Sequence, residues 1–148
     1  MAKTIDLRAI ELYVREWLGS QFPDHDFRER LLLLRTGKKF AFDAVSDDGS
    51  IVGSILSNRP KTRGGNENTG AVRKALLDIC YLLAVPGDPV RLMVFTDTEF
   101  RDLVAKRDRL GDGSIRMEIC PLPSNLAALR QRVLDGASRE QRAAGDEA

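Results

Sequence analysis

The stretch KKFAFDAVSDDGSIVGSILSN sets one carboxylate, Asp43, inside an otherwise apolar pair of strand-like runs. A carboxylate there is costly to bury unless something neutralises it or bonds to it, so Asp43 requires a partner. Asp48-Gly49 predicts a two-residue hairpin turn, because a type I′ turn needs positive φ at both central positions. With that turn, paired positions sum to 97, which sets Asp43 opposite Ser54 and Ala41 opposite Leu56. Side chains repeat with period two, so Asp43, Ser54 and Leu56 are expected on one face.

A second concentration of chemistry is basic. From Ser57 to Lys74 there are five cations, Arg59, Lys61, Arg63, Arg73 and Lys74, against the single acid Glu67. Glycines and short polar side chains in the same segment suit close approach to a phosphate backbone. The segment has no aromatic residue, so stacking on single-stranded bases is not expected. Other chemistries are missing. There is no P-loop, no dinucleotide-binding glycine motif, no nucleophile elbow and no HExxH. One histidine, His25, excludes a multi-histidine metal site and reads as a loop residue in PDHDF. Cys80 and Cys120 are too few for a disulfide framework or a cysteine zinc site. Cys80 is expected in the core as a small hydrophobe.

The elements that must position these residues follow from apolar spacing. Asp6 is the expected N-cap of a first helix. Its apolar residues, from Leu7 to Leu18, recur at three- and four-residue intervals until Gly19. Residues 30–35, 40–46 and 51–57 read as an antiparallel meander. A polar loop over 58–68 leads to Thr69, the expected cap of a helix over 70–85. Apolar residues cover most of that helix, which predicts burial on more than one side. Residues 91–96 read as a central strand apolar on both faces. A short helix over 98–107, a strand over 114–119 and a helix from Ser124 to about Asp135 complete the order. The predicted class is α/β, a mixed sheet flanked by helices on both faces. The third and fourth strands should be parallel, joined by a right-handed crossover. Residues 1–135 read as one domain and 136–148 as a frayed or disordered tail.

The order α-β-β-β-α-β, with an Asp on the second strand and a hairpin into the third, resembles the PD-(D/E)XK nuclease superfamily and its restriction-endonuclease-like fold. The likeness covers roughly Leu7 to Thr96. In that superfamily the first helix often supplies a Glu, the second strand an Asp, and the third strand an acid-x-Lys triplet. Glu11, at the flank of the first helix's apolar stripe, matches the helix acid, and Asp43 matches the strand acid. An active triplet would read like Gly-Glu-Ile-Lys, whereas this chain has Gly53-Ser54-Ile55-Leu56. In active members, carboxylates hold a divalent ion that acidifies water and stabilises charge on the phosphate, and the lysine orients or activates the nucleophile. Ser54 is a weak neutral ligand and Leu56 has no donor, so Glu11, Asp43 and Ser54 stand as vestigial catalytic positions.

The resemblance therefore implies a catalytically degenerate domain with no cofactor. Such a domain would bind DNA or RNA through Arg59, Lys61, Arg63, Arg73 and Lys74, or act as an accessory subunit. One alternative moves the acid and lysine onto the following loop or helix, with Lys61, Glu67, Lys74 and Asp78 as candidates. Asp43 would then help to hold Mg²⁺. Asp78 lies four residues after Lys74 on the polar side of its helix and reads more simply as half of a surface pair. Another alternative is a homodimeric interaction module in which Leu77 and Tyr81 meet a second subunit or the chain's own last helix.

Composition bounds these readings. The chain has 148 residues, 43% hydrophobic and 30% charged, which are globular proportions that suit one domain. A net charge of +1 argues against a protein that coats nucleic acid through a broad cationic excess. No apolar run is long enough to span a bilayer. The charged N-terminal segment has no apolar signal core, so the expected compartment is the cytoplasm.

Overall fold

A computed structural model describes residues 2–62 and 64–131 of the chain, with side chains from Leu7 onward. The order is α1 (Ala2–Gln21), β1 (Phe27–Leu33), β2 (Lys39–Ser46), β3 (Ile51–Leu56), α2 (Thr69–Leu83), β4 (Val90–Phe95), α3 (Thr98–Arg107) and β5 (Ile115–Ile119). A fourth helix, α4, is described over 124–131. Arg63, the end of α4 and the tail expected from Gly136 lie outside the described residues.

The five strands form one mixed sheet in the order β1-β2-β3-β4-β5. β1, β2 and β3 are an antiparallel meander. β3, β4 and β5 run parallel, as the intervening helices require. Ile10, Val14 and Leu18 of α1 pack one face, against Phe27, Ala44, Ile51, Ile55, Leu92 and Val94. On the other face, Ile79 and Leu82 of α2 and Phe100 and Val104 of α3 pack on Phe42, Val52, Leu56, Met93 and Phe95. Among the described residues no helix is long and apolar enough to cross a membrane.

Several local expectations are corrected. α1 begins before Asp6, so Asp6 is not its cap. It also runs through Gly19, and Pro23, which lacks an N–H to continue the ladder, follows its end. Asn68, not Thr69, caps α2, its side chain accepting from the Ala71 N–H. α2 buries a single stripe, Ala71, Val72, Ala75, Asp78, Ile79 and Leu82, rather than several sides. Cys80 lies off that stripe and is exposed, not in the core. Tyr81 stacks on Phe40 with ring centroids 3.8 Å apart, so β2 already covers it. Leu77 remains 51% exposed.

The β2–β3 turn is wider than two residues. Gly49 N–H donates to Ser46 O and Gly49 has φ 75°, but Asp48 does not have positive φ. Asp48 Oδ1 instead accepts from Ser46 Oγ, Ser50 N and Ser50 Oγ, which closes the turn with a side chain.

His25 ties the α1–β1 loop to this turn, its Nδ1 lying 3.0 Å from Asp47 Oδ1 and 3.5 Å from Asp48 Oδ1. The hydrogen bond to Asp47 is the main cause that lifts the imidazole pKa above its ordinary 6.5. A raised histidine pKa stabilises the fold fully below the unfolded value, and that contribution fades as pH rises through the folded value. His25→Gln should therefore lower Tm more at about pH 5.5 than at about pH 8.5. Equal losses in the two melts would contradict the tie.

Candidate active site

Asp43 sits where the sheet opens. β2 and β3 pair in the expected register, but only at Ala44↔Gly53 and Val45↔Val52. Past these pairs β3 follows β4 as far as Leu56↔Phe95, while β2 follows β1 to Lys39↔Leu33. Between Arg28↔Val45 and Arg30↔Phe42 the β1–β2 register shifts, so Asp43 and Ala44 together oppose Glu29 in a bulge. The bulge frees the Asp43 carbonyl from the ladder, and Arg15 Nε of α1 donates to it at 2.7 Å. The Asp43 carboxylate fills the opening, its Oδ2 accepting from Ile55 N–H of β3 at 2.8 Å. A side chain thus replaces a missing ladder bond, which is the partner that the sequence required.

Acids and cations surround this opening from both faces. On α1, Glu11 stands one turn before Arg15, whose guanidinium NH2 lies 3.3 Å from Glu11 Oε2 and 3.8 Å from Glu29 Oε2. On α2, Lys74 Nζ lies 3.6 Å from Asp78 Oδ2. The Asp78 side chain is only 8% exposed and that of Lys74 is 65% exposed, so this is not the surface pair expected from the helix pattern. Asp78 Oδ2 is buried without a hydrogen-bond partner among the described residues.

The charge of Asp43 reaches both other carboxyls. Burial raises the Asp43 pKa, opposed by the Ile55 N–H, Lys74 and Arg15. Burial also raises Glu11, and the charge of Asp43 adds to it. Asp78 is raised by burial and by Asp43, with Lys74 opposing. Asp43 therefore lies within electrostatic reach of Glu11 on α1 and of Lys74 and Asp78 on α2.

Ser54 and Leu56 do not join it. Val52 and Leu56 point into the α2-side core, and alternation sets the buried Ser54 on that side as well. Asp43 bonds to the backbone N–H of Ile55 rather than to the Ser54 side chain.

The basic segment also divides. Arg59 and Lys61 line a cleft of about 420 Å³ with Asp97 and Glu99, at the N-terminus of α3. Arg73 is exposed, and Lys74 belongs to the Asp43 centre. Glu67 is paired with Arg107 and bridges Lys61 through the backbone, and neither is among the charges that act on Asp43.

Among the described residues, the one group of three potential metal ligands with atoms within 4.8 Å of one another is His25, Asp47 and Asp48, at the β2–β3 turn. Glu11, Asp43 and Asp78 are more widely spread than that. Their chemistry nonetheless suits a hard divalent cation. They are oxygen donors held partly desolvated with raised pKa values, and one has an unsatisfied buried oxygen. Arg15 is a site residue that the sequence reading missed, although its i+4 spacing from Glu11 was visible. No protein-family model, curated protein or solved structure matches the chain significantly.

Proposed function

We propose that the chain is a nuclease-like domain of the PD-(D/E)XK kind whose acid and lysine come from α2, and that it hydrolyses phosphodiesters with a divalent cation. The observation that carries this reading is the buried Asp78 carboxylate beside Lys74, electrostatically coupled to Asp43. Asp43 and Asp78 are the side chains that would hold Mg²⁺, with Glu11 alongside; the bound ion supplies acidified water and offsets charge on the phosphate. Ile55 N–H fixes one oxygen of Asp43, and Arg15 fixes its carbonyl. Lys74 has its ammonium beside Asp78 and exposed enough to orient an incoming nucleophile. Two free cysteines agree with a cytoplasmic setting, where thiols stay reduced.

The experiment is Mg²⁺- or Mn²⁺-dependent cleavage of duplex DNA by the wild type and by Lys74→Gln. Lys74→Gln should slow cleavage at least ~10-fold, within the range for a positioned proton-handling group. Equal rates would remove Lys74 from the site.

A second reading is the degenerate domain, which binds nucleic acid or a second copy of the chain without cleaving. It is favoured by Leu56, which is 2% exposed and packed in the core, and by the spread of the three carboxylates. Wild-type protein that binds duplex without cleaving it would select this reading. Light scattering separates a monomer from a homodimer assembled through the exposed Leu77.

A further inference from the structure

We infer that the segment between β3 and α2 is a two-stranded ribbon that enters the major groove of double-stranded DNA and sets the Asp43 site against the adjoining backbone. The inference rests on the nuclease reading for its last clause only.

The segment is a built element and not a free loop. Asn68 N–H donates to Pro60 O at 2.9 Å, and Thr62 N–H to Asn66 O at 2.8 Å. The Lys61↔Glu67 bridge lies between these bonds, so the two arms keep one antiparallel register. Gly65 N–H donates to Thr62 O and Gly65 has φ 84°, which closes the end of the ribbon. Among the described residues no heavy atom lies within 4 Å of where a Gly65 side chain would start, so that position is open.

The base is fixed in three ways. Asn68 Nδ2 donates to Arg59 O, Asn68 Oδ1 caps α2, and Glu67 pairs with Arg107 of α3. Ribbon and α2 therefore share Asn68 as a rigid joint. Lys74 follows Asn68 by six positions, about 9 Å along the axis. That is about the rise of three base steps on one strand. A ribbon in the groove would thus bring Lys74 to a phosphate a few steps away.

The chemistry selects the partner. Lys61, Thr62 and Asn66 are exposed, which offers one cation for a phosphate and two polar side chains for base edges. The major groove of B-DNA admits a two-stranded ribbon, whereas that of A-form RNA is too deep and narrow. Without aromatic residues the ribbon cannot hold single strands by stacking. Lys61 and Thr62 also line the neighbouring cleft with Asp97 and Glu99, whereas Asn66 does not.

The test is fluorescence anisotropy of the full chain carrying Asp43→Asn, in EDTA, with a labelled duplex and a series of salt concentrations. Lys61→Ala should weaken duplex binding several-fold and lower the slope of log K against log salt by about one. Lys38→Ala, at the β1–β2 turn, should leave both unchanged. Single-stranded DNA and duplex RNA should bind more weakly than duplex DNA. A Lys61→Ala protein that behaves like Lys38→Ala, equal binding of duplex RNA, or no duplex binding at low salt would each overturn the ribbon. Ribbon-dependent binding by a wild type that does not cleave with Mn²⁺ would sustain the ribbon and overturn the nuclease reading alone.

Discussion

Asp43→Asn should abolish metal-dependent cleavage while leaving the fold at least as stable as before. The amide keeps an oxygen to accept from Ile55 N–H, so the bond that spans the sheet opening survives. What disappears is the charge that burial disfavours and that Glu29 opposes further. A carboxyl with a raised folded pKa loses stability as pH rises through that value, so the neutral amide removes the loss near neutrality. Cleavage should fall about a thousandfold or more, equivalent to ~4 kcal/mol of transition-state stabilisation. Thermal melts and cleavage assays on one preparation measure both halves. A variant that unfolds, or one that cleaves normally, would contradict the assignment. The expected pairing of lost activity with unimpaired stability is that of a site held against its own folding preference.

The largest stability loss is expected at Arg91. β4 was read as apolar on both faces, yet Arg91 near its start is 8% exposed and carries a buried guanidinium. Its Nε donates to Leu82 O at 2.8 Å, and its NH2 donates to Val85 O at 2.7 Å and Gly87 O at 3.3 Å. α2 ends at Leu83 with Ala84 still right-handed, so no glycine at the cap closes it. Arg91 does that work from the neighbouring strand, with its positive charge at the negative end of the helix. Arg91→Met fills most of the volume but takes the guanidinium from Val85 O and Gly87 O and leaves Leu82 O with the 3.3 Å bond from Val85 N–H. We expect a loss of about 3 kcal/mol in urea unfolding. A change within about 0.5 kcal/mol would mean that water replaces the guanidinium without loss.

The elements were legible wherever a local period decided them. The spacing of Ile10, Val14 and Leu18 gave the buried stripe of α1, and the alternation of Phe40 to Ser46 gave β2. The register of β2 against β3 followed from Asp48-Gly49 even though the turn has another geometry, because both turns preserve the pairing of Ala44 with Gly53. Asp43 was identified because its type contradicts its surroundings. Other parts of the site depend on contacts that no local pattern encodes. The bulge at Asp43 and Ala44 forms where they oppose Glu29 of β1. Asp78 looks like a surface acid because it follows Lys74 by four residues on the polar side of the helix, but α2 packs with Asp78 buried. Arg91 and Arg15 act across elements, on carbonyls whose freedom is a tertiary fact.

Mn²⁺ binding to the whole chain, followed by titration calorimetry near neutral pH, tests the centre most directly. The wild type should bind one ion that is lost in Asp43→Asn and in Asp78→Asn and retained in His25→Gln. Binding that survives both aspartate variants, or that is lost only with His25, would place the cation at the β2–β3 turn and contradict a site built from Asp43 and α2.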